Sequence, residues 1–77
     1  MNSAQQIDAI VKGANVAPKQ VGVFIDSYKE EHFVKKLRER LPEAEFSIEV
    51  FPSPIKGDLK TKTIIIKRKV AKDSSLN

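Results

Sequence analysis

Seven basic side chains in the last third of the chain have the clearest capacity for chemistry. Residues 52–77 carry seven Lys or Arg against two Asp, whereas residues 1–51 carry seven Lys or Arg against eight Asp or Glu. The net charge of +4 therefore comes from the last third. Clustered positive charge attracts phosphate groups because binding releases counterions. We predict a nucleic-acid-binding surface with little sequence specificity, formed by Lys56, Lys60, Lys62, Lys67, Arg68, Lys69 and Lys72.

The same basic residues are also compatible with two roles that involve no nucleic acid. Lysine beside the apolar run from Ile64 to Ile66 is typical of an edge strand that is protected against aggregation. The same charge could also attract an acidic protein. The alternative function is therefore a non-enzymatic protein–protein interaction module, encoded for example by a phage or plasmid, that binds or modulates a host protein.

The sequence contains few combinations of residues that could form a catalytic site. Asp26, Ser27 and His32 have the residue types of a nucleophile relay, but Ser27 and His32 would not face each other squarely on a helix. Glu45 and Glu49 share one strand face, where ordinary solvent exposure accounts for them. Cysteine is absent and His32 is the only histidine, which excludes disulfides and ordinary zinc sites. We predict that the chain is not an enzyme and uses neither a cofactor nor a metal.

The length of the chain limits how it can gain stability. Seventy-seven residues make one small domain, near the size at which a single core folds unaided. Because disulfides and zinc are excluded, we predict a homodimer. No apolar run has the length of a signal or membrane helix, so we expect a cytoplasmic, nucleoid location and no membrane partner. We assign residues 1–70 to the domain and residues 71–77 to a flexible polar tail.

Hydrophobic periodicity predicts two helices and a hairpin. Ser3 and Gln6 form a capping box that starts a helix over residues 4–13, and a second helix over residues 28–41 ends before Pro42.

Two later segments, residues 45–51 and 61–70, alternate between apolar and polar side chains as half-buried strands do. A hairpin that turns near Gly57 sets Ile48 opposite Ile66, so that the apolar faces of the two strands coincide.

The structure of residues 20–26 is ambiguous from sequence. The β-branched and aromatic residues and Gly22 favour a strand, which would give an α-β-α-β-β split sheet. As a helix, the segment would begin at Pro18 and would place Val21, Phe24 and Tyr28 on one face.

The helical interpretation is preferred because of a family resemblance in the first 26 residues, MNSAQQIDAIVKGANVAPKQVGVFID. They resemble, without a gap, the N-terminal helix-turn-helix of the HU and integration host factor family of DNA-bending proteins, while the rest of the chain departs from the family pattern. The resemblance implies an intertwined dimer whose hairpin arms reach round double-stranded DNA, with Pro54 as a candidate wedge between base pairs. It is carried by Met1, Asn2, Gln5, Ile7, Asp8, Ile10, Gly13, Ala14, Asn15, Val16, Gly22 and Asp26.

We therefore predict an α+β fold, HU-like and dimeric, with two N-terminal helices followed by a β-hairpin. The predicted function is that of a small basic protein of HU type that contacts the phosphates of nucleic acid, double-stranded DNA in the first place. The predicted dimer interface comprises Ile7, Ile10, Phe24, Ile25, Tyr28, Phe33 and Leu37.

Overall fold

A computed structural model of the protein describes residues 2–69, so Lys72 and the predicted polar tail lie outside the described residues. The fold is α+β, as predicted, with two helices and a three-stranded antiparallel sheet. A 3₁₀ turn over Ser27–Lys29 precedes the second helix. The elements in chain order are α1 (Ser3–Val16), β1 (Gln20–Asp26), α2 (Glu30–Arg40), β2 (Phe46–Pro52) and β3 (Thr61–Arg68).

Strand β1 corrects the preferred interpretation of the N-terminal third. It pairs with β3 along its whole length, from Gln20 opposite Lys67 to Asp26 opposite Thr61. Its odd-numbered residues turn toward the core and its even-numbered residues are exposed, which is the alternation of a strand and not of a helix. The prediction of a helix over this segment was wrong, and the helix-turn-helix implied by the HU resemblance is not formed. The chain instead adopts the α-β-α-β-β alternative.

Strand β3 lies between the two other strands, in the order β1-β3-β2. Ile48 lies opposite Ile66, so the predicted register of the β2–β3 hairpin is confirmed. Gly57 allows the turn because its φ is +85°, a conformation that residues with a side chain rarely adopt. The amide of Asp58 donates to the carbonyl of Ile55 at 3.1 Å, which closes this turn. The predicted second strand extended to Val70, which lies outside the described residues.

The helix boundaries differ from the predicted ones because another side chain caps α1 and no side chain caps α2. Asn2 caps α1 in a capping box with Gln5, and this pair takes the place of the predicted Ser3 and Gln6. The Asn2 carboxamide oxygen accepts from the Gln5 amide at 2.8 Å. A capping box of Ser27 and Glu30 would start the second helix at Tyr28, but the Ser27 hydroxyl donates to the carbonyl of Leu59 at 2.8 Å and no side-chain cap forms. Helix α2 accordingly begins at Glu30 and not at Tyr28.

The core lies between the helices and one face of the sheet. The apolar stripe of α1 packs with Phe33 and Leu37 of α2 against Ile64 and Ile66 of β3, and these four residues are almost wholly inaccessible to solvent. At the helix surfaces, an Arg40 guanidinium nitrogen lies 3.2 Å from a carboxylate oxygen of Asp8 and so links α2 to α1. Neither helix within residues 2–69 is long and apolar enough to cross a membrane.

This packing corrects the predicted dimer interface. Five of its seven residues are buried in the core of the single chain, where they cover the helix-facing side of the sheet and cannot also meet a second subunit. Phe24 and Tyr28 alone are exposed, with 65% and 83% of their surface accessible. The five buried residues are Ile7, Ile10, Ile25, Phe33 and Leu37.

Candidate nucleic-acid interface

Strand β3 separates the six described basic residues of the predicted surface into two groups. Lys56, Lys60 and Lys62 lie at the hairpin end of the sheet, in the β2–β3 loop or at the first residues of β3. Lys67, Arg68 and Lys69 lie at the opposite end of the strand. At about 3.4 Å per residue, Lys62 and Lys67 are roughly 17 Å apart along β3. The predicted residues therefore do not form one continuous patch.

The side chain of Arg68 is hydrogen-bonded to the C-terminal end of α1. Its guanidinium donates to the carbonyl of Ala17 at 2.8 Å, to that of Ala14 at 3.3 Å and to that of Asn15. It also lies 5.1 Å from the centre of the Phe46 ring. The last carbonyls of a helix lack partners within the helix and carry a partial negative charge. Arg68 satisfies these carbonyls and ties β3 to α1, which is a structural role.

The two residues beside Arg68 have different surroundings. The ammonium nitrogen of Lys67 lies 3.5 Å from a carboxylate oxygen of Glu49, so its charge is partly neutralised on the sheet surface. The side chain of Lys69 is exposed, while its backbone amide donates to the carbonyl of Glu45 at 2.9 Å. This end of the sheet therefore offers less uncompensated charge than its sequence indicates.

Lys56, Lys60 and Lys62, which we call the tip lysines, form the basic group at the hairpin end. None of the three forms an ion pair with another residue of the range 2–69. Lys56 and Lys60 are exposed, whereas Lys62 is half-buried, on the face of β3 that points toward the helices. Three uncompensated ammonium groups at one end of a small sheet make a site of attraction for phosphate.

The carboxylate nearest in sequence to the tip lysines is engaged by the loop itself. Asp58 accepts a hydrogen bond from the backbone amide of Lys60 at 2.9 Å. This bond, followed by one from the Ser53 side chain, lowers the pKa of Asp58 below its usual value of 3.8. Asp58 therefore shapes the loop through hydrogen bonds within it, and the side chains of Lys56 and Lys60 stay exposed.

Exposed apolar side chains surround the same end of the sheet. Tyr28 follows Ser27, whose amide donates to the carbonyl of Lys60 at 2.7 Å, so the two segments lie side by side. A concentration of exposed apolar groups is unusual on a small monomer and marks an interaction surface. The residues and their accessible fractions are Phe24 (65%), Tyr28 (83%), Phe51 (44%), Ile55 (68%) and Leu59 (87%).

The second face of the sheet, opposite the helices, carries an aromatic row. Phe24 of β1 and Phe51 of β2 both lie directly opposite Thr63 of β3, so the three side chains cross the sheet in one line. Ile65 follows on the same face beside Gly22, where an added Cβ would lie 3.0 Å from the Ile65 Cδ1 atom and would require that side chain to shift slightly. The hydroxyl of Thr63 is shielded from solvent and has no hydrogen-bond partner within residues 2–69. An unsatisfied hydroxyl costs about 1–3 kcal/mol, so this group is open to a partner.

Sequence reasoning missed this aromatic row, although a signal was present. Once residues 20–26 are a strand with Val21, Val23 and Ile25 inward, Phe24 must point outward. The same alternation places Phe51 opposite in direction to Phe46 on β2. An aromatic residue on the polar side of a strand is the feature that would have revealed the row.

The residues considered for catalysis have other partners. The Ser27 hydroxyl donates to Leu59, and the exposed ring of His32 stands edge-on to Phe33 with ring centres 6.1 Å apart. Glu49 pairs with Lys67. Within residues 2–69, no three carboxylate or imidazole side chains converge as they would around a metal ion.

Comparison of the chain with models of protein families, with curated proteins and with solved structures gave no match.

Proposed function

We propose that this protein binds nucleic acid, with little sequence preference, through the phosphates of the backbone. The observation that carries the proposal is the position of the tip lysines, which form no ion pair within residues 2–69 and adjoin exposed apolar side chains at one end of the sheet. Lysine ammonium groups contact phosphates as point charges and do not read base sequence. The proposed interface is thus shifted from the run at Lys67–Lys69 toward the hairpin end.

The proposed mode of binding differs from that of the HU family. Helix α1 is followed by a strand, so the chain has no pair of N-terminal helices from which an intertwined HU dimer would be built. Pro54 lies exposed in the β2–β3 loop, where it follows Ser53, whose hydroxyl accepts from the Ile55 amide at 3.0 Å. The proposal relies on the electrostatics of the hairpin end and involves neither a wedge nor DNA bending.

The salt dependence of binding tests this proposal. The full chain should bind a fluorescently labelled oligonucleotide in an anisotropy titration at low salt, irrespective of sequence. Contacts with three phosphates of a single strand give a slope of about −2 for log K against log salt concentration. Affinity should accordingly fall about 20-fold between 50 and 200 mM salt. Absence of binding at low salt, or an affinity independent of salt, would contradict the proposal.

A protein partner is the second candidate, and the exposed apolar residues around the loop favour it. Leu59 has 87% of its surface accessible and Ile55 has 68%, which is more apolar exposure than phosphate contact requires. Capture of one defined partner from a nuclease-treated lysate, lost on the substitution Leu59→Ser, would support this candidate. Loss of every partner after nuclease treatment would instead favour nucleic acid.

A further inference from the structure

We propose that the ligand is a single-stranded nucleic acid whose bases stack on Phe24 and Phe51 of the open sheet face. This inference rests on the proposed nucleic-acid binding and names the class of nucleic acid. It starts from two phenylalanine rings that are exposed on the sheet face opposite the helices within residues 2–69. Rings in this situation offer their π-faces, on which any base can stack.

The spacing of the rings selects against a duplex. Phe24 and Phe51 are two strand spacings apart, or about 10 Å, because each lies directly opposite Thr63. Adjacent bases in a duplex are about 3.4 Å apart along each strand and are already stacked on one another. They cannot reach rings about 10 Å apart. Bases of a single strand can be splayed out to meet separate aromatic side chains.

Thr63 adds a polar group between the two rings. Phe24 and Phe51 flank Thr63 on its two sides, and the Thr63 hydroxyl has no hydrogen-bond partner within the described residues. Entry of a base between the rings would turn a ring about its side-chain torsions and give the hydroxyl an acceptor. A single hydroxyl of this kind can meet several base edges, so sequence preference stays slight.

Two of the tip lysines, Lys56 and Lys60, are exposed in the loop at the end of the open face, where the backbone of such a strand can run. Lys60 of the loop precedes Thr63 by three residues, about 10 Å along the chain, whereas Lys62 lies on the opposite, helix-facing side of β3. Stacked bases and neutralised phosphates can therefore come from the same few nucleotides. An aromatic platform that ends at the cations of the loop fits an anionic strand, whereas an apolar protein surface would leave these lysines uncompensated.

Paired phenylalanine substitutions test the inference on the full-length chain. In the double variant Phe24→Leu with Phe51→Leu, the side chains stay apolar but the π-faces are lost. We expect its affinity for an oligothymidylate of about 12 nucleotides to fall about 100-fold, because the loss of each ring costs roughly 10-fold in affinity. Affinity for a duplex of the same length should change less than about 2-fold. The matched control, Phe24→Tyr with Phe51→Tyr, should retain binding of the single strand.

The outcomes separate this inference from the proposed function. Equal affinity of the leucine variant and the parent for the oligothymidylate would overturn the stacking platform. If that affinity still fell with rising salt, phosphate binding by the lysines would remain supported. Equal losses for single strand and duplex would also overturn it. A parent chain that self-associates, measured by sedimentation, and that loses this association in the leucine variant would assign the row to a protein contact. Failure of the parent to bind any nucleic acid would remove both proposals.

Discussion

Replacement of Arg68 by methionine is expected to lower the free energy of unfolding by about 3 kcal/mol. The change removes three hydrogen bonds from a charged guanidinium to the carbonyls at the end of α1, together with its position over the Phe46 ring. A hydrogen bond to a charged group contributes about 1.5–3 kcal/mol, and bonds from one group do not add fully. For a domain of this size the loss is a large part of the total stability. Urea denaturation followed by circular dichroism measures it.

Two control variants separate the hydrogen bonds of Arg68 from its charge. Lys67→Met removes the same charge from the neighbouring exposed position and should cost no more than about 0.5 kcal/mol. Arg68→Lys keeps the charge without the planar fork and should lie between the other two variants. If Arg68→Met were as stable as Lys67→Met and instead lost affinity for nucleic acid, the structural role assigned to Arg68 would be wrong.

Conversion of the three tip lysines to glutamine is expected to reduce affinity for single-stranded nucleic acid about 100-fold at 0.1 M salt. Each phosphate contact on a single strand contributes about 0.7 to the slope of log K against log salt concentration. Three contacts therefore account for about two decades at this salt concentration, and the slope itself should fall by about 2. Anisotropy titrations at several salt concentrations give both quantities for the parent and the variant.

A charge-matched variant on the helices is the control for this effect. Lys12, Lys35 and Lys36 lie on α1 and α2 with exposed side chains, and their conversion to glutamine removes the same net charge. Because salt screens charges beyond about 10 Å, this variant should lose less than about 3-fold in affinity. Equal losses in the two triple variants would mean that overall charge, and not the hairpin end, attracts the ligand.

Much of the fold follows from local sequence patterns. The alternation in β2 and β3 fixes their pairing, because a slip of one residue would expose Ile64 and Ile66 to solvent. Residues 20–26 could not be assigned in this way, since their apolar spacing suits either a helix face or a strand. What decides the segment is the backbone of β3, about 40 residues away, which β1 pairs with from Gln20 to Asp26.

The basic composition of the proposed interface could be predicted from the sequence, but its arrangement could not. Sequence indicates that the last third is basic, yet it does not show that Arg68 is used to hold α1 or that Lys67 meets Glu49. Those contacts depend on where α1 ends and on which residues become diagonal neighbours across β2 and β3. The aromatic row likewise exists only once β1 and β2 flank β3, because Phe24 and Phe51 are 27 positions apart in the chain.

The most direct test is a map of amide chemical-shift changes as the protein is titrated with an oligothymidylate. Binding at the hairpin end predicts the largest changes at Phe24, Phe51 and Thr63 and at the adjacent amides of Lys60 and Lys62. Changes confined to the helices, or to the opposite end of β3 at residues 67–69, would contradict the proposed interface.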